Sequence, residues 1–319
     1  MAETAGEIEI CSCFGVRMTN TARSFRDKWG KNTDAFYAET LREGSDTQRW
    51  ILERNGFDSL AQFSAHLAES KRILDAGCGN GRVTALLRAI APEQAEVVGI
   101  DLVAADVARE NFKDVPRTSF ETRDLVGDLT GLGQFDFIYC QEVLHHTSDP
   151  AQGFRNLRGL LAPGGELAVY VYKQKAPVRE FVDDYIRDRI AAMPYEEAMQ
   201  QCRQITEFGK ALSEANLKLH VPAVELLGIE AGEYDVQRLI YHFFAKCYWN
   251  PDVAYEENVL VNYDWYHPQI ATRHTLSEVE GWFEAADLEI QHRCVDFYGI
   301  TVRGRDRRSA RTACEGGGS

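Results

Sequence analysis

The sequence has little of what characterises membrane, secreted or nucleic-acid-binding proteins. No window of the 319 residues approaches the roughly 18 uninterrupted apolar residues that a membrane span needs. The amino-terminal region contains no secretory apolar core. Acidic residues outnumber basic ones, 49 to 35, which gives a net charge of −14 and disfavours a nucleic-acid backbone as partner. We therefore expect no membrane or nucleic-acid partner and a cytoplasmic location.

Cysteine and histidine are also too dispersed to predict a metal site. Of the eight cysteines, Cys11 and Cys13 alone are close together, with C-x-C spacing, and no second pair or histidine cluster completes a zinc site. Scattered thiols are typical of a reduced cytosolic protein. We expect no bound metal, and no residue pattern predicts an oligomeric state.

The chain does contain apolar strands that alternate with helical patterns, which indicates βαβ units and a parallel sheet. The expected fold class is α/β: a Rossmann-like, seven-stranded, mostly parallel sheet with helices on both faces. The predicted strands are Arg72–Asp75, Ala95–Asp101, Ser119–Leu125, Phe135–Cys140, Glu166–Lys173, Leu288–Ile290 and Val295–Val302.

The alternation also divides the chain. We expect a flexible segment over 1–20, amino-terminal helices over 21–70 and the Rossmann-like core over 71–173. A mainly helical insert over 174–272 lies between strands 5 and 6 and is predicted to form a cap over the core. The last helix and strands of the core occupy 273–303. A tail over 304–319 follows and ends in a glycine-rich stretch typical of an added linker.

A glycine-rich loop follows the first predicted strand: Asp75-Ala76-Gly77-Cys78-Gly79-Asn80-Gly81. Glycines there permit positive φ and bring the backbone close to a ligand above the next helix. Asp101 ends the second strand 20 residues after Gly81, the spacing of a ribose-binding acid in Rossmann-type units. Arg82 does not fit the G-x-G-x-x-G/A dinucleotide pattern, which disfavours NAD.

This loop resembles motif I of class I S-adenosylmethionine (SAM)-dependent methyltransferases, and the resemblance extends in order through residues 72–173. Further matches are Gly99-Ile100-Asp101, Arg123-Asp124-Leu125, Gln141-Glu142-Val143-Leu144-His145-His146 and Leu161-Ala162-Pro163-Gly164-Gly165. The chain is most similar to the UbiE-like small-molecule group. The resemblance implies SAM as cofactor and S-adenosylhomocysteine (SAH) as product, with Asp101 at the ribose and Asp124 at the adenine amine. It also implies that a helix through Phe25, Arg26 and Trp29 covers SAM. The expected cofactor contacts are Asp75, Gly77, Cys78, Gly79, Gly81, Asp101, Leu102, Asp124, Leu125, Gln141 and Trp29.

The methyl acceptor is expected beyond the carboxyl ends of the strands, where the insert over 174–272 is predicted to cap it. His146 is either a general base or a wall of the cofactor site. Lys173, Lys175 and Arg179 either clamp an anionic acceptor or belong to a solvated loop. The stretch from Tyr263 to His267 lacks helical periodicity and has polar tips, as pocket walls do. The expected acceptor contacts are His145, Tyr172, Lys173, Arg179, Tyr263, Trp265, Tyr266 and His267.

The sequence therefore predicts a SAM-dependent methyltransferase that moves a methyl group to an O or N atom of a small molecule by in-line displacement. Two alternatives remain: a SAM- or SAH-binding regulatory protein without turnover, and an NAD-dependent oxidoreductase. Displacement at a sulfonium-activated carbon needs alignment rather than a covalent nucleophile. Cys78 is accordingly interpreted as a small loop residue.

Overall fold

The computed structural model describes residues 18–31 and 40–308. The predicted flexible segment falls mostly outside these residues, as do Cys11, Cys13 and the glycine-rich end of the tail. No helix among the described residues is long and apolar enough to cross a membrane.

One seven-stranded sheet organises the core. Its strands occur in the order β3-β2-β1-β4-β5-β9-β8, and β1 to β5 are parallel to one another, whereas β9 is antiparallel to both of its neighbours. The predicted seven-stranded, mostly parallel sheet is confirmed. The strands are β1 (Arg72–Ala76), β2 (Glu96–Asp101), β3 (Thr118–Thr122), β4 (Phe135–Gln141), β5 (Leu161–Tyr172), β8 (Leu288–Val295) and β9 (Gly299–Asp306).

Helices cover both faces of this sheet because its strands are apolar on both sides. The core helices are α1 (Asn20–Lys31), α2 (Asp46–Asn55), α3 (Leu60–His66), α4 (Arg82–Ile90), α5 (Ala105–Asn111), α6 (Pro150–Gly159) and α11 (Leu276–Ala285). On one face, residues of α2, α3 and α4 pack against Ile73, Val97 and Phe137. On the other, residues of α6 and α11 pack against Leu74 and Val98.

The segment between β5 and α11 forms its own small core. It contains α7 (Pro177–Ile190), α8 (Tyr195–Glu214), α9 (Val236–Phe243) and α10 (Tyr255–Tyr266), with a two-stranded antiparallel sheet of β6 (Lys218–Val221) and β7 (Gly232–Asp235). Apolar residues of α8 and α10 pack against Tyr170 and Tyr172 of β5. We call residues 174–272 the insert.

Several predicted boundaries are wrong for local reasons. The strand predicted from Ser119 to Leu125 ends at Thr122, and the Asp124 carboxylate then accepts a hydrogen bond from Val126 N. The strand predicted from Val295 begins only at Gly299, because Asp296 accepts from the amides of Tyr298 and Gly299 in a turn. The predicted tail also begins too early.

Arg305 belongs to β9 rather than to the tail, and it binds Glu166 of the adjacent β5, as does Arg303 of the same strand. The residues from Tyr263 to Tyr266 are the end of helix α10 rather than an irregular stretch. This helix is buried on most of its circumference, so its sequence lacks a polar face and a visible period.

Candidate cofactor and acceptor site

The glycine-rich loop crosses the carboxyl end of the sheet in a shape that depends on glycine. Gly77 has φ of +87° and Gly79 has φ of +56°. A Cβ at Gly77 would lie 2.2 Å from the Val143 side chain, and one at Gly79 would lie 2.8 Å from the Trp29 ring. The amides of Gly77 and Cys78 donate to the Ile100 carbonyl, which ties the loop to β2. The loop is therefore held where neighbouring side chains leave no room for a Cβ.

A cavity of about 220 Å³ lies beside this loop, where the strand order reverses between β1 and β4. Every predicted cofactor contact except Gly79 and Gly81 lines it. The lining residues from that prediction are Asp75, Gly77, Cys78, Asp101, Leu102, Asp124, Leu125, Gln141 and Trp29. Their contacts with SAM stay predictions. Nine of the eleven predicted cofactor contacts therefore lie on one wall.

Two carboxylates of the cavity wall lie beside the glycine loop: Asp75, which is buried, and Asp101, which is partly exposed. Asp101 Oδ1 accepts from the amides of Val103 (2.8 Å) and Ala104 (2.9 Å), and Oδ2 accepts from Gly79 N (3.0 Å). Burial raises the pKa of Asp101 despite these hydrogen bonds. Asp75 accepts from Thr84 Oγ1 at 2.6 Å, and burial raises its pKa to about 7.

These features fit an adenosyl cofactor. A carboxylate offers about four lone-pair positions, so the three backbone bonds leave Asp101 able to accept from a ribose hydroxyl. The glycine loop gives the close backbone approach that such a ligand requires. The Cys78 side chain packs in a hydrophobic cluster with Ala105, Phe112 and Phe120, and burial raises the pKa of its thiol. A buried neutral thiol is a packing residue rather than a nucleophile.

His146 lies at the β4 end of the cavity, in a short 3₁₀ turn over Leu144–His146. Its Nδ1 is 2.7 Å from the Ile270 carbonyl oxygen. A carbonyl only accepts, so Nδ1 is protonated and Nε2 is the basic nitrogen of the neutral ring. Burial lowers the pKa of His146 to about 4. The ring is therefore neutral near pH 7 and able to take up a proton at Nε2.

His145 does not line the cavity. Its ring stacks on Tyr172 with centroids 3.6 Å apart, and neither ring nitrogen has a hydrogen-bond partner among the described residues. Burial holds the pKa of His145 well below its usual value. The two adjacent imidazoles thus occupy different environments, one at the cavity and one in the core.

The other predicted acceptor contacts also lie away from the cavity. Three of them, Arg179, Trp265 and Tyr266, instead bind Asp183, a residue of α7 that is 1% exposed. Asp183 accepts from Trp265 Nε1 (2.8 Å), Tyr266 Oη (2.8 Å) and Arg179 Nε (3.1 Å). We call this group the Asp183 network. The predicted residues outside the cavity wall are His145, Tyr172, Lys173, Arg179, Tyr263, Trp265, Tyr266 and His267.

Two charged residues that were not among the predicted contacts line the cavity, Lys28 of α1 and Glu142 after β4, together with Asp264 of α10, which lies in the stretch predicted as a pocket wall. Lys28 Nζ is 2.8 Å from Asp264 Oδ1. Glu142 has φ of +65° and lies 3.5 Å from Arg54. A non-glycine residue at positive φ is a strained feature that occurs at functional sites. Glu142 lies inside the matched motif and Asp264 inside the Tyr263–His267 stretch, whereas no sequence signal pointed to Lys28.

Helix α1 closes the cavity between the core and the insert. Phe25 and Trp29 line the cavity, and the Phe25 ring lies 4.7 Å from the His146 ring, edge to face. Arg26 binds Asp106 of the core, whereas Ser24 Oγ lies 2.5 Å from His267 Nδ1 of the insert. The helix therefore bridges the two parts of the chain. Cofactor cover by this helix stays a prediction.

The comparisons with known proteins agree with this geometry. A family model described as "Methyltransferase domain" matches residues 47–220, more than half of the chain. The chain belongs to the methyltransferase family. The predicted class, SAM-dependent methyltransferases with SAM as cofactor, is confirmed.

Curated relatives of this methyltransferase include two named enzymes. It is 34% identical to the trans-aconitate 2-methyltransferase of Methylobacterium radiotolerans over 53% of this chain and 60% of that protein. It is 28% identical to the ubiquinone biosynthesis O-methyltransferase of Psychrobacter cryohalolentis over 74% of this chain and 87% of that protein. It spans only 28% of an uncharacterized Synechococcus protein, which is 39% identical over 118 residues.

Among solved structures, this methyltransferase resembles PKMT2 from Rickettsia typhi. The TM-score is 0.51 at 15% identity, with 79% of this chain and 54% of that chain covered. At this identity the likeness supports the fold alone, which agrees with the sheet order described above.

Proposed function

We propose that the protein transfers the methyl group of SAM to an oxygen or nitrogen atom of a small-molecule acceptor. The observation that carries this proposal is the composition of one cavity. Its wall contains the glycine loop and Asp101 at one end and His146 with two carboxylates, Glu142 and Asp264, at the other. A cofactor and a reactive acceptor group would thus meet inside a single enclosed space.

The proposed roles follow the order of the strands. Asp101 holds the ribose, Asp124 and Leu125 contact the adenine, and the glycine loop with Asp75 and Gln141 contacts the methionine part. SAM supplies a methyl group already activated on a sulfonium. Phe25 and Trp29 of α1 exclude water from the cavity. His146 Nε2 takes up the proton that the acceptor loses.

A small acceptor is supported by the composition of the cavity wall and by the relatives. Helix α1 and the insert residues Asp264 and Ile270 form part of its wall. The named curated relatives include a trans-aconitate and a ubiquinone-biosynthesis methyltransferase. No observation favours the regulatory or the oxidoreductase alternative. The cysteines Cys78, Cys140, Cys202, Cys247 and Cys294 are free thiols, which supports the proposed cytoplasmic location.

The test uses a metabolite extract and SAM carrying an isotope-labelled methyl group. We expect the wild-type protein to transfer the label to one compound or a small set of related compounds, detected by mass spectrometry. The Asp101→Ala variant serves as the control and should transfer far less. SAH should raise the melting temperature while NAD should not, because a ligand stabilises only the state that binds it. SAH stabilisation without any labelled product would contradict the enzymatic proposal.

A further inference from the structure

We propose that Asp264 selects the acceptor, and that the acceptor presents a hydrogen-bond donor to it, a hydroxyl or an amine, rather than a carboxylate. This inference rests on the function proposed above and adds the chemical class of the acceptor.

Asp264 lies on the cavity wall near His146, because it is one of the charges that act on the His146 ring. Along the carboxyl edge, Asp124 follows β3, Asp101 follows β2, the glycine loop follows β1 and the segment Gln141–His146 follows β4. Neighbouring strands are about 4.8 Å apart, so the β3 and β4 ends are separated by roughly 14 Å. An adenosine held at β2 and β3 therefore leaves the β4 end for the transferred methyl group. Asp264 and Ile270 of the insert line the cavity, and the Ile270 carbonyl accepts from the His146 ring at this end.

The charge and the hydrogen-bonding capacity of Asp264 favour an acceptor molecule that donates a hydrogen bond to its carboxylate. Burial raises its pKa, but the neighbouring charges, Lys28 first among them, outweigh that effect, so the pKa of Asp264 is lowered. The ionised carboxylate accepts hydrogen bonds and donates none. Oδ1 faces Lys28 Nζ at 2.8 Å, whereas no hydrogen bond to Oδ2 is found within the described part of the chain. Asp264 therefore retains an acceptor atom for a ligand.

Two other groups of this wall, Glu142 and His146, also favour a hydrogen-bond donor, and the nearby Lys28 is paired with Asp264. Glu142 is a second carboxylate in this wall, and the neutral His146 ring offers Nε2 as an acceptor. A ligand carboxylate placed here would face two like charges, which is unfavourable. A hydroxyl or amine would instead find several acceptors for its hydrogens.

The cations once expected to bind an anionic acceptor are engaged elsewhere. Arg179 pairs with Asp183 at 3.1 Å. Lys175 Nζ donates to the carbonyl oxygens of Phe297 and Tyr298. Lys173 is not part of the cavity wall. These three cations therefore give no support to an anionic acceptor.

The test needs no knowledge of the natural acceptor. Sinefungin is a SAM analogue that carries an amine where SAM carries the methyl group, whereas SAH has neither. Titration calorimetry measures the affinity of both ligands for wild type and for Asp264→Asn. SAH affinity reports on the cofactor end of the cavity, and the ratio of sinefungin affinity to SAH affinity reports on the end where the methyl group would lie. We expect the ratio of sinefungin affinity to SAH affinity to fall at least fivefold in Asp264→Asn, with SAH affinity changed less than twofold. Asp184→Asn, an exposed carboxylate of the insert, should leave the ratio unchanged.

A second variant acts in the opposite direction. Lys28→Gln removes the cation that shares the Asp264 carboxylate, so the ratio should rise at least twofold, and this result decides the matter if Asp264→Asn does not fold. A ratio that changes less than fivefold in folded Asp264→Asn overturns the inference. An equal loss of sinefungin and SAH affinity in Asp264→Asn also overturns it, because such a loss indicates a structural role for Asp264. If wild type binds neither ligand, the proposed function itself fails.

Discussion

The sheet core and the insert handle their buried polar groups in opposite ways. In the core, Asp75, Asp101 and Asp124 all line the cavity, although Asp101 also accepts three backbone amides. In the insert, the Asp183 network satisfies its donors and acceptors internally. Of the described insert residues, Asp264 and Ile270 reach the cavity wall. At the carboxyl edge of its sheet the core therefore has carboxylates on the cavity wall, whereas the Asp183 network of the insert is paired within the protein.

This difference separates cofactor binding from acceptor choice. Changes in the core are expected to alter SAM affinity, and changes in the Asp183 network are expected to alter folding. We then expect acceptor selection to depend on the few positions where the two regions meet, which are His146, Asp264 and the residues of α1 beside them. The predictions below test that division, beginning with the largest effect.

The Asp183→Ala variant should lose about 3–5 kcal/mol of unfolding free energy, because Arg179 becomes a buried charge without its partner. The Trp265 and Tyr266 side chains also lose their shared acceptor. Chemical denaturation followed by circular dichroism measures the change. The matched control is Asp184→Ala, whose carboxylate is half exposed and should contribute about 1 kcal/mol or less. Equal losses in the two variants would contradict the role given to the Asp183 network.

The His146→Gln variant should lower kcat at least about 100-fold, the lower end of general-base effects, because alignment supplies part of the rate. Burial lowers the pKa of His146 to about 4, so the basic ring persists from neutral pH down to that value. Wild-type activity should accordingly decline only near pH 4, and this acidic limb should change in the variant. SAH affinity should stay within a few fold. A loss of only a few fold with the limb intact would make His146 a wall of the pocket.

The two regions also differ in how much their sequence predicts. The glycine loop and Asp101 are set by local spacing on consecutive strands, so their meeting at one edge of the sheet follows from the sequence. Asp264 reaches the cavity only because α10 packs against the chain from several sides. That burial also removes the polar stripe by which a helix is recognised, so Tyr263, Trp265 and Tyr266 resembled pocket walls.

The Asp101→Ala variant should weaken SAM and SAH at least about tenfold, or 1.4 kcal/mol. It removes a charged acceptor for the ribose and also releases the amides of Gly79, Val103 and Ala104 from their partner. Titration calorimetry measures the affinity, and circular dichroism checks the fold. Asp114→Ala, an exposed carboxylate of the core, is the control and should bind normally. Unchanged affinity in folded Asp101→Ala would refute the assignment.

The smallest effect is expected where α1 meets the core. Arg26 and Asp106 form an ion pair whose side chains are 42% and 55% exposed, so Arg26→Gln should cost about 1 kcal/mol or less. Its contribution should disappear at high salt, since ions screen exposed charges. On the insert side, Ser24 and His267 form a buried hydrogen bond, and Ser24→Ala leaves the His267 ring without that partner. We therefore expect Ser24→Ala to cost more than Arg26→Gln in denaturation experiments, and its cost to persist at high salt. If the order is reversed, α1 is anchored mainly to the core, and the insert does not control how the cavity closes.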